Sequence, residues 1–120
     1  MRSEYAEALM TTVSRAHLWH FYTKSYAAHD AFGKFYEALS GLADTYIECD
    51  IGVNGPIAPT GGTFYYPGVD DAVRTLTGFK ALTKSIRDAQ EKAGQNGAVA
   101  TLEEIMALVD QTLYRLQNLS

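Results

Sequence analysis

Between Tyr26 and Glu48 the apolar side chains recur every three or four residues, at Ala28, Phe32, Phe35, Leu39, Leu42 and Tyr46. That period is helical, since a strand would alternate every second residue. Tyr36, Ala43 and Ile47 widen the stripe, so this helix must be covered on more than one side, as in a bundle that also meets a second subunit. A helix of that kind cannot stand alone. The rest of the chain has to supply its partners.

Three further helical patterns are present. The first covers residues 3–22, with Tyr5, Leu9, Val13, Ala16 and His20 along one face, Met10 and His17 beside it, and Ser3 as its cap. Lys24-Ser25 forms a turn, and Ser25 caps the second helix, which runs over 25–49. The third spans 70–93, opening on Asp70-Asp71, where acids suit the positive end of a helix, and breaking at Gly94–Gly97. Gly78 weakens it by about 1 kcal/mol relative to alanine and permits a close helix contact. The fourth covers 101–118, with Thr101 and Glu104 as a capping box and Ile105, Val109, Leu113 and Leu116 as its stripe. These elements predict an all-α four-helix bundle filling residues 1–120 as one domain, with short, long and short connections.

The long connection, residues 50–68, differs in kind: it holds all three prolines and five of the ten glycines. Pro56, Pro59 and Gly61-Gly62 interrupt any helix there. It also carries Ile51, Val53, Ile57, Phe64, Tyr65 and Tyr66, which a flexible linker would not. We expect it to pack on its own subunit or on a neighbour, with Phe64, Tyr65 and Tyr66 forming an interface or a ligand site.

Composition removes several function classes. Net charge is −4 and neither end carries a basic tail, which argues against direct DNA binding through phosphate neutralisation. No apolar run approaches the ~18 residues needed to span a membrane. Cys49 is the sole cysteine, so no internal disulfide forms. A polar N-terminus without a signal peptide and a lone thiol together predict a cytoplasmic protein. Lys80, Lys84 and Arg87 form a small basic edge, and nearby Asp88 and Glu91 make it a solvated face.

The polar residues of the first hairpin are the candidate chemistry. His29 and Asp44 are 15 positions apart, or roughly 22 Å at ~1.5 Å per residue, so one chain cannot place both on one ion. Asp44 and Glu48 are neighbours one turn apart, and His17 is within reach of His29 across the hairpin. A two-fold dimer with antiparallel helices would bring His17 and His29 of one subunit to Asp44 and Glu48 of the other. His20, between Trp19 and Phe21, is an additional candidate ligand, with a structural role as its plainer reading.

This arrangement resembles the Dps-type mini-ferritins of the ferritin-like superfamily. That family's intersubunit ferroxidase site uses a histidine, a second histidine 12 residues on, an acid four residues later and an Asp-x-x-x-Glu pair. His17, His29, Asp44 and Glu48 match, as do the flanking Phe32, Tyr36 and Glu37. The resemblance implies an up-down-down-up bundle, a two-fold dimer or a dodecameric shell, and iron bound between subunits and oxidised there. The intermediate acid is Gly33, which removes a ligand and a negative charge. A two-iron centre is then under-supplied, although two histidines with Asp and Glu can still hold one divalent ion, zinc or iron. The rival reading is a non-enzymatic bundle similar to the short ferritin-like proteins of tailed bacteriophages. It would serve as a virion or assembly component, or as a sequestering oligomer using the 50–68 loop.

Overall fold

The computed structural model describes residues 2–119. Four helices follow one another: α1 (Arg2–Tyr22), α2 (Tyr26–Asn54), α3 (Ala72–Lys92), led in by a single 3₁₀ turn at Val69–Asp71, and α4 (Asn96–Asn118). Among the described residues no strand occurs, and no helix is long and apolar enough to cross a membrane.

Each helix contributes a seam of buried residues spaced by threes and fours. It runs through Tyr5, Leu9, Thr12, Ala16 and Trp19 in α1; Phe32, Phe35, Leu39, Ala43, Tyr46 and Asp50 in α2; Leu76, Phe79, Thr83, Ile86 and Gln90 in α3; and Ala98, Leu102, Ile105, Val109 and Thr112 in α4. This is the periodicity of side chains interlocking between nearly parallel helices. Three threonines occupy seam positions because each hydroxyl returns to its own helix: Thr12 donates to Ala8 O, Thr83 to Phe79 O and Thr112 to Leu108 O. The stripe expected in α1 shifts accordingly. Thr12 and Trp19 are buried, whereas Val13 and His20 are only half-buried.

The connections fix the order of the bundle. α1 packs on α2, α2 on α4 and α4 on α3, with α3 closing back on α1 over a smaller surface. Ser25 caps α2 as expected, accepting from Ala28 N at 3.2 Å. Gly94, at φ +73°, turns α3 into α4. There Gln95 N bonds Gln90 O and Gly94 N bonds Glu91 O, the paired bonds that satisfy a helix C-terminus when a left-handed glycine follows it.

Residues 55–68 run back along α1 as a strap. Arg2 holds Gly55 O, Ser3 Oγ accepts from Ala58 N, and Glu7 accepts from both the amide and the hydroxyl of Thr60. Further on, Arg15 donates to Tyr65 O and Trp19 Nε1 to Pro67 O at 2.9 Å. The strap thus crosses from the N-terminal to the C-terminal end of α1. α3 starts where α2 started, and the helices run up, down, down, up.

Four local expectations are corrected. Residues 50–54 are helical, so the irregular connection is 55–68 and α2 ends at Gly55, whose φ is +90°. Pro56 disfavours helix only in the residue before it, and Asp50 is still a seam residue. Ser3 lies inside α1 and holds the strap instead of capping the helix. α4 begins at Asn96, and Thr101, one turn inside it, donates to Gly97 O instead of capping. Gly78 is exposed, with nothing within 4 Å of the direction a Cβ would take, so it serves no close helix contact.

Candidate functional site: a histidine hairpin and a distant acid pair

The last turns of α1 and the first turns of α2 bring the histidines together. His20 and His29 stack, ring centroids 3.7 Å apart and planes 21° from parallel. His20 Nδ1 lies 2.7 Å from His29 O, and His29 Nδ1 lies 2.8 Å from His20 O. A carbonyl oxygen only accepts, so each Nδ1 carries the proton and donates. In the neutral rings the lone pair is therefore on Nε2. His20 O belongs to the final turn of α1, whose carbonyls lack partners within the helix. The reciprocal bonds supply one while locking the hairpin.

His17 does not take the place expected for it against His29. In an antiparallel hairpin closed by Thr23–Ser25, residues whose numbers have a constant sum lie level, which sets His20 opposite His29. His17, one turn back, is exposed and lies flat on Tyr36 at 4.1 Å, with Phe21 at 5.1 Å and His20 at 6.4 Å. Gly33 has a positive role that a missing carboxylate does not describe. A Cβ at that position would come within 3.1 Å of His20 Cε1 and 3.2 Å of His20 Nδ1. The glycine is the space that the His20 ring fills.

Asp44 and Glu48 are exposed on α2, well beyond reach of the histidines of the same chain. No group of three or more His, Cys, Asp or Glu side chains that could hold a metal ion occurs among the described residues. One chain thus presents a nitrogen-bearing half and an acidic half, apart from each other.

The groove between α1, α2 and the strap is the second feature. It encloses about 530 Å³ and is lined by Ala6, Met10, Ile47, Ile57, Pro59 and Phe64, with Ser3 and Glu7 among the polar contributors. Phe64 is 57% exposed and stands edge-on to Tyr66, with ring centroids 6.5 Å apart. Tyr65 and Tyr66 are exposed as well. The strap is therefore clamped largely through its backbone, with Phe64 at the edge of the groove and Tyr65 and Tyr66 facing outward. The two Thr60 donors hold the Glu7 carboxyl below its ordinary value.

A third constellation escaped sequence reasoning. Asp50 Oδ2 accepts from Arg2 Nε at 2.8 Å, and its Oδ1 accepts from Gln90 at 3.0 Å and Asn54 at 2.9 Å. Gln90 Oε1 in turn accepts from Tyr46 OH at 2.9 Å, and burial pushes the Tyr46 hydroxyl up to about 12. Tyr5 OH bonds Thr83 Oγ1 at 2.8 Å, and burial raises its pKa as well, so that it ionises less readily. The network ties the start of α1 to the ends of α2 and α3. Its signal was the position of Asp50, four residues beyond Tyr46 and seven beyond Ala43, on the buried seam.

The basic edge on α3 is neutralised: Lys80 pairs with Asp110, Lys84 with Asp88, and Arg87 with Asp88, Glu91 and Glu103. It is a solvated network of ion pairs. No curated protein and no solved structure matches the chain. Residues 20–116, most of the sequence, match a family of unknown function, DUF5856, and the chain belongs to that family.

Proposed function

We propose that the protein is a homo-oligomeric, ferritin-like metal-binding bundle whose site is completed between two copies. The observation that carries this reading is the His20–His29 lock, in which both Nδ1 atoms are spent on backbone carbonyls. Fixing a histidine's far nitrogen in this way orients the other as a ligand. A divalent ion would sit between the histidine hairpin of one copy, bound through Nε2 of His29 with His17 nearby, and Asp44 and Glu48 of a second. The up-down-down-up order of the helices fits the ferritin-like arrangement. Iron as cargo, with weak oxidation at most, is the Dps-like form of this function.

The test is metal binding alongside the mass of the assembly. The metal-free protein receives Fe(II) or Zn(II) without oxygen, and His29→Ala and Glu48→Ala variants run in parallel. Binding in a dimer or larger assembly, lost in both variants, supports the reading, and admitting oxygen to the Fe(II) sample then measures oxidation. Binding by a monomer, or binding indifferent to Glu48, overturns it.

The groove under the strap favours a second reading, a binder of small apolar molecules in a non-enzymatic bundle. Its volume lies within the ~300–1,000 Å³ of ordinary ligand sites. A fluorescent apolar probe that binds the wild type and is lost on Phe64→Ala would support it. A probe that ignores the groove would dismiss it.

A further inference from the structure

The sequence contains two Asn-Gly pairs, Asn54-Gly55 and Asn96-Gly97. An asparagine followed by glycine is a self-reacting unit, because the next backbone nitrogen is held close to the side-chain amide and no Cβ shields it. Both pairs lie at helix ends, the first closing α2 and the second opening α4, and both asparagines are exposed. Their bonding is opposite. We propose that Asn96 is a site of spontaneous deamidation in the folded protein, and that the same pair at Asn54 is built to resist it.

Asn54 is clamped. Its Nδ2 donates to Asp50 Oδ1 at 2.9 Å and to Gln95 Oε1 at 3.0 Å, and its Oδ1 accepts from Gln95 Nε2 at 2.8 Å. The nucleophile is occupied as well, since Gly55 N donates to Ile51 O at 2.8 Å. Asn96 has none of this. Among the described residues its side chain makes no hydrogen bond, and Gly97 N, one of the amides that a helix start leaves without a partner, makes none either. Gly97 also has a packing reason to be glycine. There α2 passes so close that a Cβ at position 97 would stand 3.3 Å from Cys49 Sγ, tighter than an ordinary contact. The packing of α2 on α4 thus keeps the reactive pair in the chain.

The step balances within the chain and water. Gly97 N loses its proton and attacks Asn96 Cγ; the Cγ–Nδ2 bond breaks, and the amide leaves as ammonia with that proton. The resulting five-membered succinimide takes up one water at either carbonyl. Opening at Cγ gives aspartate, and opening at the main-chain carbonyl gives isoaspartate, whose backbone is one methylene longer. Each event adds a negative charge at the start of α4. As aspartate that charge suits the positive end of the helix. As isoaspartate it lengthens the chain between Gln95, which holds Asn54, and Gly97, which meets Cys49. Elapsed time is therefore recorded in the bundle at one position.

The experiment holds the folded protein in mildly alkaline buffer made with heavy-oxygen water, then digests it with trypsin in ordinary water. Cleavage after Lys34, Arg74, Lys92 and Arg115 puts Asn54 and Asn96 on separate peptides, and mass spectrometry reads the oxygen incorporated in each. A sample unfolded in guanidinium gives each peptide its own reference rate. Breaking one net hydrogen bond slows a step roughly fivefold, so the four that hold the Asn54 pair should slow it by at least about tenfold. After each rate is divided by its reference, Asn96 should therefore convert at least about tenfold faster than Asn54. Gln95→Ala removes two bonds of the clamp and should raise the Asn54 ratio, with circular dichroism showing the helices intact. Equal ratios in the folded wild type would overturn the proposal. An Asn54 ratio unmoved by Gln95→Ala would overturn the clamp as the cause of its resistance.

Discussion

Trp19 joins the bundle core to the strap, and replacing it tests whether that joint is as important as the geometry implies. Its side chain is 1% exposed, it packs on Phe32 at 5.6 Å, and its Nε1 donates to the carbonyl of buried Pro67. Trp19→Phe keeps an aromatic ring but removes the donor and part of the volume. The lost volume, roughly 40 Å³, costs about 1 kcal/mol at ~24 cal/mol per Å³ of cavity. Leaving the Pro67 carbonyl without its partner costs about another 1–2 kcal/mol. The sum is about 2–3 kcal/mol, or a fall in Tm of roughly 10 °C for a chain of this length. Denaturant unfolding followed by circular dichroism gives the stability, because the only tryptophan is gone. A second readout separates strap from core: chymotrypsin should cut the variant after Phe64 or Tyr65 well below its Tm. Phe32→Leu, which disturbs the same core without touching the bond, should lose stability but keep the strap protected. A loss below ~1 kcal/mol in Trp19→Phe, or equal cleavage in both variants, would refute the reasoning.

Asp50→Asn keeps an oxygen for Gln90 and Asn54 but turns an amide toward Arg2; because Arg2 is partly exposed and can turn to water, the cost should be about 2 kcal/mol in denaturant unfolding. The Glu7 carboxyl is held below its ordinary 4.5 by Thr60. The strap contact it provides is therefore complete above pH 4.5 and fades as pH falls through the lower folded value. Protection of the Thr60 amide, its exchange compared with that of an unstructured amide at the same pH, should fall on acidification in the wild type and be low at all pH in Glu7→Ala. Tyr5 and Tyr46 are raised from 10.0, Tyr46 to about 12. The unfolded chain thus loses these protons first above pH 10, so the two tyrosines leave stability unchanged below pH 10 and stability should fall between pH 10 and 12, less steeply in Tyr5→Phe.

The helices were legible because apolar spacing is a direct image of burial, and Phe32, Phe35 and Leu39 or Leu102, Ile105 and Val109 admit no other period. Boundaries were less legible because breakers act locally. Pro56 constrains Gly55 and nothing earlier, so the helix runs through Gly52 to complete a buried seam at Asp50. Polar seam residues were invisible for a related reason: Thr12, Thr83 and Thr112 satisfy their hydroxyls on their own helices, a bond that leaves no trace in a hydrophobic pattern. At the candidate site the residue types were legible and the pairing was not. Which histidine meets His29 depends on the register of the hairpin. That register is set by the three-residue turn and the Ser25 cap, and it selects His20 over His17.

The same register arithmetic makes the proposed pairing of copies testable away from any ligand. Setting His29 of one copy between Asp44 and Glu48 of another, with α2 antiparallel to α2, places the two-fold axis between positions 37 and 38. Lys34 then lies opposite Gly41 of the second copy, whose missing side chain leaves room for it, and one turn from that copy's Glu37 and Asp44. Among the described residues of its own chain Lys34 makes one exposed pair, with Asp30 at 3.0 Å, a contact that contributes no more than about 0.5 kcal/mol. Lys34→Glu should therefore leave the thermal unfolding of the isolated chain almost unchanged. In the assembly it sets a third acid among Glu37 and Asp44 and removes the lysine that faces them, so the mass measured by light scattering should fall to that of the monomer. Metal binding should fall with it, although no ligand has been altered. A Lys34→Glu protein that keeps both its assembly and its metal would show that the copies do not meet along α2, and the acid pair would then have to be assigned to some other face.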